Sequence, residues 1–189
     1  MAFSATKRLL KPFRGYSEQE VVNLFSYDLD TVNKGTFVKV KNSGYVNTTD
    51  PLNIFAGNPV GATYNGTVSD RYSTSAQVTV AGTGDNNKVI GCLLLDVRET
   101  DENGEKLIYH PHKISELQCV LSGQADPILR RGMLLVFATG AVAGNPAYIN
   151  ANGEIDTNFT LTNSGARVGN YLGSADTDGY ALLALDLNM

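Results

Sequence analysis

Two histidines, two cysteines and scattered carboxylates are the residues of this chain whose types could do chemistry. His110-Pro111-His112 spaces its imidazoles at i and i+2, where a strand would aim both at one face and let them share a metal ion. No third histidine exists, and no cysteine or acidic residue stands close in sequence to complete the set, so hydrogen-bonded or exposed histidines are expected. Asp176-Thr177-Asp178-Gly179 resembles the start of a calcium loop. The bidentate Glu of such a loop is missing and an apolar run follows instead, which predicts a turn. Asp28-Leu29-Asp30 is a carboxylate pair with nothing nearby to tune it. Gly82-Thr83-Gly84 with Lys88 lacks the Gly-Lys-Ser/Thr and the helix of a phosphate cradle, and no Gly-x-Ser-x-Gly elbow occurs. Cys92 and Cys119 sit in apolar surroundings and form no Cys-x-x-Cys, so buried free thiols are expected. Asn-x-Thr triplets at Asn47, Asn65 and Asn158 would accept glycans only in a secreted protein, and the N-terminal stretch lacks the apolar core of a signal peptide. No catalytic set and no cofactor site is predicted, so the chain reads as a non-enzyme.

The elements that must carry these residues are predominantly strands. Charged residues make up only 18% of 189 positions while glycines number 19, a balance that favours strands and tight turns over surface helices. Phe37-Val38-Lys39-Val40 and Gln77-Val78-Thr79-Val80 alternate with period two. Val89 to Val97 and Met133 to Thr139 contain continuous apolar runs and are predicted as buried strands; Tyr180 to Leu185 is predicted as the final one. Asn65-Gly66, Asn103-Gly104, Asn152-Gly153 and Asp178-Gly179 are turn signals, with type I′ hairpins expected at the second and third. Such a series describes an antiparallel barrel or sandwich. The one helix signal is Ser17-Glu18-Gln19-Glu20, a capping box followed by Val21, Val22, Leu24 and Phe25, which predicts a short helix with an apolar face. At two turns it needs a neighbour to pack on.

Charge is unevenly distributed. Up to Tyr16 the only charges are Lys7, Arg8, Lys11 and Arg14; the remaining chain carries 11 basic and 19 acidic residues, a net of −8. A basic arm ahead of an acidic body suggests docking on a negative surface, with a solvated arm as the alternative. Nucleic acid is not expected as the partner, because phosphate binding needs concentrated Lys and Arg. The longest apolar run, Met133 to Ala138, is too short for a membrane helix.

From about residue 76 the order of motifs resembles a known family. Val89-Ile90-Gly91-Cys92-Leu93-Leu94, Arg131-Gly132-Met133-Leu134-Leu135-Val136, Gly144-Asn145-Pro146-Ala147-Tyr148-Ile149 with Asn152-Gly153-Glu154-Ile155, Val168-Gly169-Asn170-Tyr171-Leu172, and Asp178-Gly179-Tyr180-Ala181-Leu182-Leu183 follow one another. This succession is similar to the capsid decoration (cement) proteins of tailed bacteriophages, the β-tulip or lambda-type head decoration family. The resemblance implies an all-β fold with a compact antiparallel β-barrel (β-tulip) body, an extended N-terminal arm and one short N-terminal helix. It implies a homotrimer on the outer surface of the virion head that stabilises the expanded capsid by bridging major capsid protein subunits. Partners would then be the major capsid protein and the chain itself, with neither nucleic acid nor membrane involved, and synthesis in the host cytoplasm.

Residues 1–34 accordingly read as the arm with its helix and 35–189 as the body, within which 35–75 is an irregular insertion or extension. Lys7, Arg8, Lys11, Arg14, Val21, Leu24 and Phe25 form the candidate docking set. The runner-up reading is another β-type virion component, such as a head fibre, head–tail joining or tail protein. A carbohydrate-binding module ranks lower, since Trp is absent and nine Tyr are scattered.

Overall fold

A computed structural model of the chain describes residues 8–23, 25–27, 31–41, 77–86, 88–121, 124–156 and 165–187. The Asp28-Leu29-Asp30 pair, the Asn65-Gly66 turn and the Asn-x-Thr triplets at 47, 65 and 158 lie outside these residues, as do Lys7 and Leu24.

The described part is strands, largely antiparallel, with one α-helix. Strands β1 (Val21–Val22), β2 (Ser26–Tyr27), β3 (Phe37–Val40), β4 (Gln77–Val80), β5 (Val89–Leu93) and β8 (Ile128–Leu129) form a six-stranded sheet in the order β1-β8-β5-β3-β4-β2. Strands β9 (Arg131–Phe137), β10 (Pro146–Tyr148), β11 (Arg167–Tyr171) and β12 (Tyr180–Asp186) form a second sheet in the order β10-β11-β12-β9. A small parallel pair, β6 (Asp96–Val97) with β7 (Cys119–Val120), carries the segment that contains helix α1 (Pro111–Leu117).

The main core lies between the two large sheets. Phe37, Val89, Cys92 and Leu129 from the first meet Leu134, Val136, Val168, Leu183 and Leu185 from the second. The six-stranded sheet is apolar on its other side as well, where Val38, Val78, Ile90, Leu93 and Ile128 pack with Tyr27, Val32 and Val97. This explains two patterns in the sequence. Phe37 faces one cluster while Val38 and Val40 face the other, as period two requires. The unbroken apolar run of β5 has all five residues buried because both of its faces are covered. Both cysteines are free and buried, as expected.

Three expectations are corrected. The sheets do not close into one barrel: the first ends on the two-residue strands β1 and β2, the second on β10 and β9, and none of these edges pairs across. The capping box opens only a 3-10 turn, Glu18–Glu20, in which the Ser17 hydroxyl accepts from the N–H of Gln19 at 3.3 Å. Val21 and Val22 then pair with Leu129 and Ile128 as β1, since two β-branched residues gain more from a sheet edge than from a two-turn helix. The third correction concerns Asn103-Gly104. Its second arm is not a strand: beyond the Thr100–Lys106 bridge the chain turns through the 3-10 segment Leu107–Tyr109 into α1. Pro111 stands at the helix start and Gln118 caps the end in the left-handed region (φ 49°), while Leu107 is sealed beneath with Cys119 and Leu121. His110 and His112 therefore sit before and within a helix and do not alternate on a strand.

Candidate docking surface

The N-terminal arm is extended and seated on its own sheet. Leu10 bridges Val136 and Gly15 bridges Met133, both antiparallel, so the arm occupies the outer edge of β9. The N–H of Phe137 donates to the Leu9 carbonyl at 2.9 Å, that of Lys11 to Leu135 at 3.0 Å, and that of Met133 to Gly15 at 2.9 Å. Further on, the Arg130 N–H donates to Glu20 at 3.0 Å. Such main-chain bonding blunts an edge that would otherwise invite another strand. Gly15 is required here, because a Cβ would press on the Phe13 ring and on Cβ of Met133.

Between Lys11 and Gly15 the arm arches away from β9 and encloses a cleft of about 720 Å³. Pro12, Phe13 and Tyr16 line the arm side; Leu94, Leu95 and Pro127 line the body side. Lys11, Arg14 and Lys34 stand along it with Glu18, and its lining contains no nucleophile–base pair. The surface is suited to holding an apolar group with an acidic neighbour.

The candidate docking residues are divided by this geometry. Arg8 is exposed, and its carbonyl accepts from the Tyr180 hydroxyl at 2.8 Å. Lys11 Nζ lies 4.1 Å above the Tyr180 ring, 3.2 Å from Asp178 Oδ2 and 3.8 Å from Asp176 Oδ2, so its charge is balanced by the chain's own acids. Arg14 Nη2 is 2.5 Å from Glu18 Oε1. Val21 packs on the main core and Phe25 on the second cluster, so neither presents an apolar face outward. What the arm does present is Phe13, 43% exposed, with Pro12 and the outer sides of Arg8 and Arg14.

Two further polar constellations lie on the body. Asp126 is fully buried in front of β8, and neither of its carboxylate oxygens has a hydrogen-bond partner. Burial pushes its pKa up to about 8, and the charge of Asp96 acts in the same direction. Lys113 on α1 reaches Asp101 at 2.6 Å and Glu105 at 2.8 Å. The Asp101 partner, then Glu105, raises the lysine pKa, and the same bond holds the Asp101 carboxyl below its usual range. His110 Nε2 lies 3.8 Å from Glu105 Oε2. Among the described residues, no three His, Cys, Asp or Glu side chains gather as a metal set.

Sequence reasoning passed over the residues that order the turns. Asp101, Asn150 and Asp176 each stand three places before a glycine, and each accepts from the backbone N–H groups two and four residues on. Gly104, Gly153 and Gly179 follow with φ of 82°, 71° and 84°. No residue but Gln118 and glycines has positive φ among the described residues, so Asn103 and Asn152 do not adopt the type I′ conformation expected of them. The legible signal was Asp/Asn-x-x-Gly rather than the Xaa-Gly dipeptide.

No family model matches the chain, and no curated protein matches it. No helix among the described residues is long and apolar enough to cross a membrane.

Proposed function

We propose that this chain is a non-enzymatic structural protein of a bacteriophage virion. It binds the outer surface of the head and stabilises the expanded capsid by bridging major capsid protein subunits. The observation that carries the reading is the seated arm: a basic segment held rigid on the edge of a β body, with Phe13 exposed at the crest of an apolar cleft and Arg8 and Arg14 beside it. A rigid ridge of this kind loses little entropy on docking, and an aromatic anchor flanked by guanidinium groups suits an acidic protein surface. The succession of motifs from about residue 76 supports the same assignment, including association of the protein with itself. Avidity across a repeating lattice makes individually weak contacts sufficient.

Co-sedimentation of the purified chain with undecorated expanded heads tests the proposal, with and without residues 1–16. The full chain is expected to pellet with the heads and the shortened chain to remain in the supernatant. Full binding by the shortened chain would remove the arm from the docking surface, and no binding by either form would overturn the decoration reading.

A further inference from the structure

The β9–β12 pair shares with β5 an apolar run that fills both faces of a strand, yet only β5 is covered on both. Leu134 and Val136 of β9 and Ala181, Leu183 and Leu185 of β12 point into the core. The alternate set points outward and is apolar too. In register, Met133 stands opposite Ala184, Leu135 opposite Leu182 and Phe137 opposite Tyr180. Leu172 extends the leucine row to a third strand, its N–H donating to the Leu182 carbonyl at 2.8 Å. Met133 is 39% exposed and Leu172 52%. An antiparallel sheet with one face in the core ordinarily turns polar residues to water on the other, so a half-exposed face of leucine, methionine and aromatic rings calls for a cover.

We propose that the outward face of the four-stranded sheet is a self-association surface, packing on the same face of a second copy of this chain about a two-fold axis centred on the Leu135–Leu182 row. The rim favours a copy over other occupants. Lys11, Arg131 and Arg167 alternate around the apolar centre with Asp176, Asp178 and Asp186. These charges are balanced, and the pairs Arg131–Asp186 (3.2 Å) and Lys11–Asp178 (3.2 Å) are exposed enough to exchange partners at little cost. A balanced rim complements itself, whereas a strongly charged partner would be met by one sign. One patch serving as both halves of a contact is isologous and closes at two copies. Residues 42–76 are an unsuitable cover, for they leave β3 and return at β4 on the other sheet. The inference stands apart from the capsid reading, because it needs no head to be observed.

The test is light scattering on the full chain at tens of micromolar. The expected mass is twice 20.3 kDa. Leu182→Glu and Leu182→Lys chains should each run as monomers with unchanged circular dichroism, and an equimolar mixture should regain the dimer as opposite charges meet across the axis. Should the charged variants fail to fold, Leu182→Ser is expected to keep its melting temperature within a few degrees and to weaken association at least tenfold. A monomeric wild type, a dimer indifferent to position 182, or a trimer mass would overturn the proposal. A monomer that dimerises once residues 1–7 are removed would assign the cover to those residues and overturn it as well.

Discussion

Asp126 shows how far one buried carboxyl can set the acid–base behaviour of the whole domain. Its folded pKa, about 8, lies well above the unfolded value near 4, so the folded state holds a proton that the unfolded chain has lost. Below pH of about 4 both states are protonated and the residue costs nothing. Stability then falls as pH rises through the interval up to about 8 and levels off beyond it, by up to about 5 kcal/mol. Asp126→Asn should remove most of this slope, read as urea midpoints at pH 5 and pH 8. A variant as pH-sensitive as the wild type would contradict the assignment. Asp101 has the opposite sign: Lys113 holds it below the usual carboxylate range, so its contribution is present above pH of about 4 and is lost as pH falls through its lowered folded value. Asp101 is nearly sealed from solvent while Glu105, also bonded to Lys113, is more than half exposed. Asp101→Ala should therefore lower the melting temperature markedly and Glu105→Ala hardly at all. Equal losses from the two would place the strength of the network elsewhere. None of this was legible beforehand, because Asp101 and Lys113 are twelve positions apart and only a helix that the sequence reading missed brings them together.

At the level of elements, what could be read was what depends on neighbours in sequence. Period two in Phe37–Val40 and Gln77–Val80, the buried run of β5 and the final strand β12 all follow from alternation and burial, and they are where expected. Ser17-Glu18-Gln19-Glu20 misled because a cap motif specifies how a helix starts, whereas the main-chain partners waiting on β8 decided what Val21 and Val22 became. Helix α1 was hidden by its brevity and by reading His110-Pro111-His112 as a strand; Pro111 at its start with Ile114 and Leu117 one turn apart was the available signal. The turns supply a direct test of the Asp/Asn-x-x-Gly reading. Asn150 should cost about 1–2 kcal/mol when changed to Ala, for its side-chain oxygen serves two backbone N–H groups at 2.8 and 3.1 Å. Gly153→Ala should cost more, about 2–3 kcal/mol, since a Cβ there would stand 2.7 Å from the Phe37 carbonyl oxygen in addition to the positive φ. Asn152→Ala is expected to be nearly neutral. Thermal denaturation of the three variants gives the ranking, and a large loss at Asn152 would restore the dipeptide to the controlling role.

For the molecule as a whole, the seated arm ties the proposed docking to the stability of the body. An edge strand can be completed only once: while Leu9, Lys11 and Gly15 bond to Phe137, Leu135 and Met133, the same groups cannot complete a sheet in a neighbouring protein. Peeling the arm would break these bonds, uncover Leu10, which is buried, and leave β9 open to aggregation. Burial of that leucine alone is worth about 2 kcal/mol. Docking with the arm in place avoids this loss and uses Phe13, Arg8 and Arg14, which already face outward. Hydrogen exchange distinguishes the two courses, because the amides of Met133 and Phe137 donate to the arm and report directly on its seat. On heads, both amides should keep or increase their protection, and Phe13→Ala should weaken binding at least tenfold while leaving that protection unchanged in the free chain. Faster exchange at Met133 and Phe137 upon binding would mean that the arm leaves its own sheet to dock, and the cleft would then have no part in recognition.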